Sequence, residues 1–514
     1  MKRGGASLVA AGIFLSRIAG LVRESVFAAY FGNSAAADAF KAAFRIPNFL
    51  QNMFGEGVLS ASFIPVYASL EAQEKREEAG DVAGAIFAIL ALITSAIVLI
   101  GVLATPFFID LVAPGFHGET RLLTISLVRI FFPGAGLLVM AAWCLGILNS
   151  HRRFFLSYSV PVLWNIAMIA GLFWFGPRSE TENRLAIAVA WASVIGCAAQ
   201  LFAQIPAVLR LVPNLRVRLA TRLEGVQTVI RNFGPVFVSR GVVQVSAYID
   251  QIMATYLPTG AVAALAYAQT IAYLPVSLFG MAVSASELPE MSRATGDLEE
   301  VAAYLRRRLV VGLRRIAFFV IPSAVAFIAL GDIIVAAIYQ HRRFTHDDSI
   351  YTWGILAGSG VGLLATTQGR LFSSAFYALK DTRTPLRFAV LRVTLTTLLG
   401  YLAAFPFIRL LGLDPKWGAA GLTASAGVSG WIEFLLLRRS LGRRIGSDPI
   451  GAMFLMRLWA SAIAAAAITW AIRIALAPHL REPKLFAVAT LIPYGIVYLT
   501  LTGPRQWKAR LRGR

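Results

Sequence analysis

Long apolar stretches, separated by short charged or turn-rich segments, run through the whole chain. A helix of about 20 residues crosses the hydrocarbon core of a bilayer, which is about 30 Å thick. Stretches of this size occur fourteen times, and each predicts a transmembrane helix. The predicted spans are 6–31, 36–70, 82–113, 122–149, 156–176, 185–209, 225–256, 260–290, 309–340, 350–379, 388–408, 419–437, 450–477 and 485–503. The pattern therefore predicts an all-α polytopic membrane protein.

The composition excludes an ordinary soluble protein. Hydrophobic residues make up 57% of the chain and charged residues 15%, whereas soluble domains have about 45–50% and about 25%. Cys144 and Cys197 both fall inside apolar spans, so a disulfide is not expected. The first apolar stretch contains Arg17 and Arg23 and lacks a small-residue cleavage site, which favours a retained span over a signal peptide.

The basic residues predict the orientation in the membrane. The chain has 48 Lys and Arg against 27 Asp and Glu, a net charge of +21. If the N-terminus is cytoplasmic, the cytoplasmic loops and ends hold 26 Lys and Arg and the outer loops hold nine. Cytoplasmic loops carry the excess of basic residues, so both termini are predicted to be cytoplasmic. Topology and attraction to anionic membrane lipids account for the charge, and no nucleic-acid partner is predicted.

Two segments about 224 residues apart resemble each other. Ser16-Arg17 is followed by a Ser-Ala-Ser-x-Ile/Leu-Pro motif ending at Pro65, and Ser239-Arg240 by the same motif ending at Pro289. Transporters are often built from two related halves. We therefore predict two pseudo-symmetric six-helix lobes with a pocket between them, followed by two C-terminal helices and a basic tail. The predicted boundaries are 1–224, 225–445 and 446–514.

The first two spans form a hairpin with six charged side chains: Arg17, Arg23, Glu24, Asp38, Lys41 and Arg45. Four cations face two anions, so ion pairing leaves positive charge in the membrane. Because an arginine at mid-membrane costs at least about 2.5–3.5 kcal/mol, such residues are expected to face a cavity or protein interior. Excess arginine suits a phosphate ligand. The alternative is a structural set of ion pairs between Glu24 or Asp38 and Arg17 or Arg23.

Signatures of an enzyme are missing from the sequence. The five histidines lie in loops or at span ends, and no zinc motif or P-loop is present. We therefore predict a secondary transporter without catalytic residues, metal or cofactor. Asp250, the only acid in span 7, is a candidate site for a coupling monovalent cation. An ion pair with Arg240 or another span is the alternative, and the membrane potential is an alternative driving force.

Two groups of motifs stand out in the chain. The first lies in the hairpin, and the second lies near residue 380. They read Ser16-Arg17-Ile18-Ala19-Gly20-Leu21-Val22-Arg23-Glu24, Ala37-Asp38-Ala39-Phe40 and Phe44-Arg45-Ile46-Pro47-Asn48-Phe49-Leu50, then Ala375-Phe376-Tyr377-Ala378-Leu379-Lys380-Asp381-Thr382-Arg383-Thr384-Pro385. Both groups resemble motifs of the MurJ/MviN lipid II flippases.

This resemblance implies a fold of the multidrug/oligosaccharidyl-lipid/polysaccharide exporter type. It implies a monomer in the bacterial cytoplasmic membrane that moves undecaprenyl-pyrophosphate-linked peptidoglycan precursor to the outer leaflet by alternating access. The prenyl chain would follow spans 13 and 14. The implied substrate-binding residues are Arg17, Arg23 and Asp38, with Glu24 and Arg45 at matching positions.

The chain also departs from the family pattern. Gln269-Thr270 replaces an Asp-Arg pair, and Gln51-Asn52 lies where an arginine is frequent. We expect Arg240 and Arg370 to restore the lost positive charge from the second lobe. Two other functions remain open: an exporter of another lipid-linked oligosaccharide or a drug on the same fold, and a scaffold or lipid-linked glycosyltransferase. The last alternative would rely on Asp347-Asp348, the only adjacent acidic pair in the outer loops.

Overall fold

The computed structural model describes residues 3–54, 59, 62–291, 297–446, 450–480 and 482–503. Within the helices, the side chains of residues 3–11, 13, 154, 235–247, 285, 289 and 298 are outside this description. In the described part of the chain the regular structure is entirely helical. The predicted all-α class is therefore confirmed.

Twenty α-helices follow one another along the described residues. They are α1 (Arg3–Phe31), α2 (Ala35–Phe54), α3 (Ile64–Ala72), α4 (Arg76–Leu103), α5 (Thr105–Val112), α6 (Gly118–Ser150), α7 (Phe154–Ser159), α8 (Pro161–Phe175), α9 (Glu182–Leu211), α10 (Glu224–Ala254), α11 (Ala261–Pro275), α12 (Ala282–Met291), α13 (Leu298–Ala329), α14 (Gly331–Tyr339), α15 (His346–Ala378), α16 (Arg383–Ala404), α17 (Pro406–Leu410), α18 (Gly418–Ile445), α19 (Ala452–Leu476) and α20 (Pro483–Thr502). A π-helical turn, Val276–Met281, joins α11 to α12, and a 3₁₀ turn, Pro415–Trp417, precedes α18.

Each predicted span corresponds to one long helix or to helices in succession. Several breaks occur beside prolines: α5, α8 and α17 each have proline in their first two positions. Proline lacks the N–H that would continue the preceding helix, but it fits the first turn of a new one. The sequence pattern therefore located the helical segments but ran across these breaks.

Ten helical stretches in the described residues are long and apolar enough to cross a membrane. The long helices α1, α2, α10 and α15 are not among them. These four helices carry every residue predicted for the site. The count of fourteen spans and the cytoplasmic termini stay predictions.

The chain divides into two compact units, Met1–Ala263 and Ala264–Arg514. In the first unit, α6 packs against α2, α4 and α9, and α1 packs against α7 and α8. In the second unit, α15 packs against α13 and α18, and α19 packs against α20. This division places α10 with the first unit, whereas the repeat suggests a boundary near residue 224. The division follows packing rather than the repeat, and the predicted lobes stay a prediction.

Small residues allow close helix packing inside each unit. A Cβ on Gly362 of α15 would lie 2.3 Å from the Cα of Gly427 on α18, so any larger side chain would push the two helices apart. Cys144 and Cys197 are buried and unbridged, as expected from their apolar surroundings.

The Lys380–Pro385 motif forms the turn that starts α16. The Asp381 carboxylate accepts hydrogen bonds from Thr384 N at 3.0 Å and Thr384 Oγ1 at 2.7 Å, and it pairs with Arg444 of α18 at 2.7 Å. The Thr384 hydrogen bonds, together with the Arg444 ion pair, lower the pKa of Asp381 to about 2. This part of the motif therefore has a structural role at the start of α16.

Asp381→Ala is expected to lower the free energy of unfolding by about 1 kcal/mol, the usual value of a side chain that caps the start of a helix. The folded-state pKa is depressed, so the stabilisation is complete above the unfolded-state pKa near 4 and is lost as the pH falls through about 2. The difference in melting temperature between wild type and variant should therefore stay constant from pH 8 to pH 5. A difference that changes over this range would contradict the assignment.

Candidate functional site

Glu24 links the first two helices through two cations. Its Oε1 accepts a hydrogen bond from Arg23 Nη2 at 2.6 Å, and its Oε2 pairs with Lys41 Nζ of α2. The side chains of Arg23, Glu24 and Lys41 are only 14%, 10% and 11% exposed. At this burial, each charge depends on its partner, because an unpaired ion would cost several kcal/mol, about the desolvation penalty of one buried charge.

Aromatic rings hold both cations from the other side. The Arg23 guanidinium lies 4.3 Å from the ring centroid of Trp164 on α8, and Lys41 Nζ lies 4.2 Å from that of Phe27. Trp164 is itself positioned by a 2.9 Å hydrogen bond from Nε1 to Ser193 Oγ and by stacking on Phe44. The Arg23 side chain is thus oriented by a carboxylate and a fixed indole.

Asp38 has a different task in this conformation. The residue is 3% exposed, and its carboxylate accepts hydrogen bonds from Gly260 N at 2.6 Å and Ala263 N at 2.7 Å, at the start of α11. A carboxylate at a helix N-terminus accepts hydrogen bonds from the free N–H groups, and the positive end of the helix dipole stabilises its negative charge. Gly260 has a φ of 93°, and a Cβ there would lie 2.6 Å from Asn33 O, so glycine is required at this contact.

Arg45 connects α2 to α10. Its Nη1 donates to Gln251 Oε1 at 2.8 Å, and its backbone oxygen accepts a 2.8 Å hydrogen bond from Tyr248 Oη. Gln251 is 1% exposed and neutral. The arginine is therefore held in place without being neutralised.

The hairpin keeps positive charge after its ion pairs are made. Glu24 serves Arg23 and Lys41, and Asp38 caps α11. Among the described residues, neither Arg17 nor Arg45 has a carboxylate partner. Arg17 is exposed on α1, and Arg45 is half-buried. The predicted Glu24–Arg23 pair is present, but pairing does not account for all the cations.

The remaining predicted residues are Asp250, Arg370 and Arg240. Asp250 is half-buried on α10, beside the Gln251 that holds Arg45. Arg370 is exposed on α15 in the second unit, close enough to Glu433 to act on it electrostatically, and Glu433 also pairs with Arg392 at 3.2 Å. Arg240 lies on α10, but its side chain is outside the described residues. The proposed charge compensation stays a prediction.

Three contacts of this site were missed from the sequence. Asp38 and Lys41 are three residues apart, a spacing at which side chains of one helix can meet, yet the ion pair of Lys41 is with Glu24 of the other helix. Trp164 and Gln251 have no distinguishing motif, because an aromatic or amide residue in an apolar span looks like ordinary packing. The substitution Gln269-Thr270 is locally satisfied at Thr270, whose hydroxyl donates to Ala266 O at 2.9 Å.

Comparison with known proteins identifies the family. Residues 27–492 match the family model described as Lipid II flippase MurJ. The chain belongs to the lipid II flippase MurJ family. It is 31% identical over 438 residues to a Lipid II flippase MurJ of Burkholderia cenocepacia, covering 84% of this chain and 82% of the relative. It is 31% identical over 511 residues to a probable lipid II flippase MurJ of Rhizobium meliloti, covering 95% and 88%.

Solved structures agree on the fold. A structure described as Lipid II flippase MurJ, inward closed conformation, aligns with a TM-score of 0.78 at 24% identity and covers 96% of this chain and 98% of that one. An inward-facing multidrug resistance MATE transporter of the MOP superfamily aligns at 0.63 with 16% identity, covering 82% and 95%. The predicted family and fold are confirmed. The MurJ family consists of multi-pass transporters of the cytoplasmic membrane rather than enzymes.

Proposed function

We propose that this protein flips lipid II, the undecaprenyl-pyrophosphate-linked peptidoglycan precursor, from the inner to the outer leaflet by alternating access. The membership in the MurJ family supports the cargo class. The observation that supports the site is the positive charge left on Arg17 and Arg45 after Glu24 and Asp38 are engaged. A pyrophosphate is doubly suited to such arginines, since it offers several oxygens to planar guanidinium groups.

The headgroup and the tail of lipid II behave differently in the membrane. The sugar and pyrophosphate cannot cross hydrocarbon, whereas the prenyl chain can stay in it. In this proposal a hydrated cationic cavity accepts the headgroup, while the prenyl chain trails between helices along α19 and α20. In this proposal the protein works as a monomer, with the two helical units of one chain providing alternating access.

Depletion of the protein in its native bacterium tests the proposal. We expect lipid-linked precursor to accumulate while the fraction accessible at the outer leaflet falls, and re-expression of wild type should restore it. Re-expression of an Arg129→Gln variant is a control and should restore outer accessibility as wild type does, since Arg129 is an exposed arginine on α6 outside the hairpin. Undiminished outer accessibility after depletion would overturn the proposed function.

The membrane potential is the proposed driving force. An inside-negative potential favours outward movement of an anion by about 2.3 kcal/mol per charge per 100 mV. In proteoliposomes with an imposed potassium diffusion potential, lipid II should therefore gather in the leaflet on the positive side by tenfold or more, about what one charge at 60 mV supplies. A distribution that ignores the potential would contradict this driving force.

A sodium gradient is the alternative driving force. If accumulation follows sodium at zero potential and is lost in Asp250→Asn, a coupling cation at Asp250 replaces the potential in the account. If transport is independent of sodium, Asp250 has no sodium-coupling role.

A further inference from the structure

A basic cavity of about 500 Å³ opens where the ends of α6 and α9 meet helix α7. Arg152, Arg153 and Arg210 line it together with Phe155 and Leu211. All three arginines are exposed, and none forms an ion pair within the described part of the chain. The cavity belongs to the first unit and shares no residue with the charged hairpin. Three uncompensated guanidinium groups around one cavity are suited to bind an anion.

The turn that ends α6 carries two of these arginines. Arg152 has a φ of 60°, in the left-handed region that usually belongs to glycine at this position after a helix. Arg153 N donates to Leu148 O at 2.8 Å, which closes the turn. His151, one residue earlier, is held by a 2.9 Å hydrogen bond between its Nε2 and Tyr67 Oη. The turn is therefore anchored, and an arginine occupies a position where glycine would fit with less strain.

Apolar surface adjoins the cations. Phe155 is 50% exposed inside the cavity. On α9, Phe202 and Leu209 are 63% and 52% exposed and lie seven residues apart, about two turns, so they share one helix face. A soluble anion needs only the arginines, whereas a lipid also needs an apolar surface for its chains. The combination of both favours a lipid ligand.

The predicted topology puts this cavity at the cytoplasmic surface of the membrane. Arg152, Arg153 and Arg210 are among the basic loop residues assigned to that side. The cytoplasmic leaflet has a negative surface potential from its anionic lipids, which attracts basic residues lying next to it. We propose that the cavity binds the phosphate headgroup of an anionic phospholipid of the inner leaflet, with its acyl chains against Phe155 and the exposed face of α9.

Lipid titration of the purified full-length chain in detergent tests the proposal. Phosphatidylglycerol and phosphatidylcholine are the probes, and bound lipid is counted by native mass spectrometry. Combined Arg152→Gly, Arg153→Gln and Arg210→Gln should weaken phosphatidylglycerol binding by at least about tenfold, given the contribution of each basic residue near a charged lipid surface. Binding of phosphatidylcholine and of lipid II should not change.

The matched control removes the same charge elsewhere on the predicted cytoplasmic side, through Arg222→Gln, Arg439→Gln and Arg443→Gln, three exposed arginines outside the cavity. An equal loss in this control would overturn the proposal in favour of diffuse surface charge. Loss of lipid II binding with phosphatidylglycerol binding retained would overturn it in favour of a cargo site.

Arg152→Gly alone should keep the fold, because glycine suits the left-handed backbone, and should still weaken phosphatidylglycerol binding several-fold. Unchanged binding in that folded variant would also overturn it. All of these binding measurements are independent of whether the protein flips lipid II.

Discussion

Glu24→Gln is expected to destabilise the folded protein by about 3–5 kcal/mol, the cost of removing one partner from a buried ion pair. Glu24 is the carboxylate between Arg23 and Lys41, and all three side chains are at least 86% buried. The amide keeps the size of the side chain but leaves two cations without a countercharge. Thermal or denaturant unfolding in detergent measures the loss.

Glu180→Gln is the matched control for this variant. Glu180 also pairs with an arginine, at 2.6 Å from Arg184, but the two side chains are 76% and 70% exposed. Its loss should change the unfolding free energy by at most about 1 kcal/mol, because water solvates both partners. Adding Lys41→Met to Glu24→Gln should recover part of the stability, since it removes one orphaned charge. Equal effects of Glu24→Gln and Glu180→Gln would show that the triad is not effectively buried.

Arg17→Gln combined with Arg45→Gln is expected to lower the rate of lipid II flipping by about a hundredfold or more. Hydrogen bonds to charged groups contribute about 1.5–3 kcal/mol each, and the double variant removes one or more from each arginine. Stability should fall by about 1–3 kcal/mol only, because no ion pair in the described part of the chain is lost and the cost comes from the hydrogen bond between Arg45 and the buried Gln251. Flipping in proteoliposomes and a melting curve on the same sample separate the two effects.

Arg129→Gln removes a positive charge from the same unit without touching the hairpin and should flip lipid II at the wild-type rate. If Arg129→Gln slows flipping as much as the double variant does, the effect comes from overall charge rather than from the hairpin. The contrast with Glu24→Gln is also informative, since that variant should lose stability first and activity as a consequence.

The all-helical fold could be predicted from the sequence because hydropathy over about 20 residues is a property of each segment alone. The excess of cations in the first hairpin could be predicted for the same reason, since six charged residues stand out in apolar spans. The ion-pair partner of each charged residue could not be predicted. Spacing within one helix can bring Asp38 near Lys41, but Lys41 pairs with Glu24 of the other helix.

Long-range contacts account for the other gaps. Asp38 bonds Gly260 N, 222 residues away, and Arg45 bonds Gln251, 206 residues away. Nothing in a local pattern indicates that a carboxylate will cap a distant helix instead of pairing with a nearby arginine. The same holds for Trp164, which orients Arg23 from a span that reads as simple packing.

Binding of undecaprenyl pyrophosphate and of uncharged undecaprenol to the purified protein tests the central claim most directly, because the two lipids differ only in the charged group. Wild type and Arg129→Gln should bind the pyrophosphate at least about tenfold more tightly than the alcohol, as one charge-assisted contact already supplies this factor. Arg17→Gln/Arg45→Gln should lose that preference. Equal affinity of wild type for the two lipids, or an unchanged preference in the double variant, would contradict a pyrophosphate site built on the free cations of the hairpin.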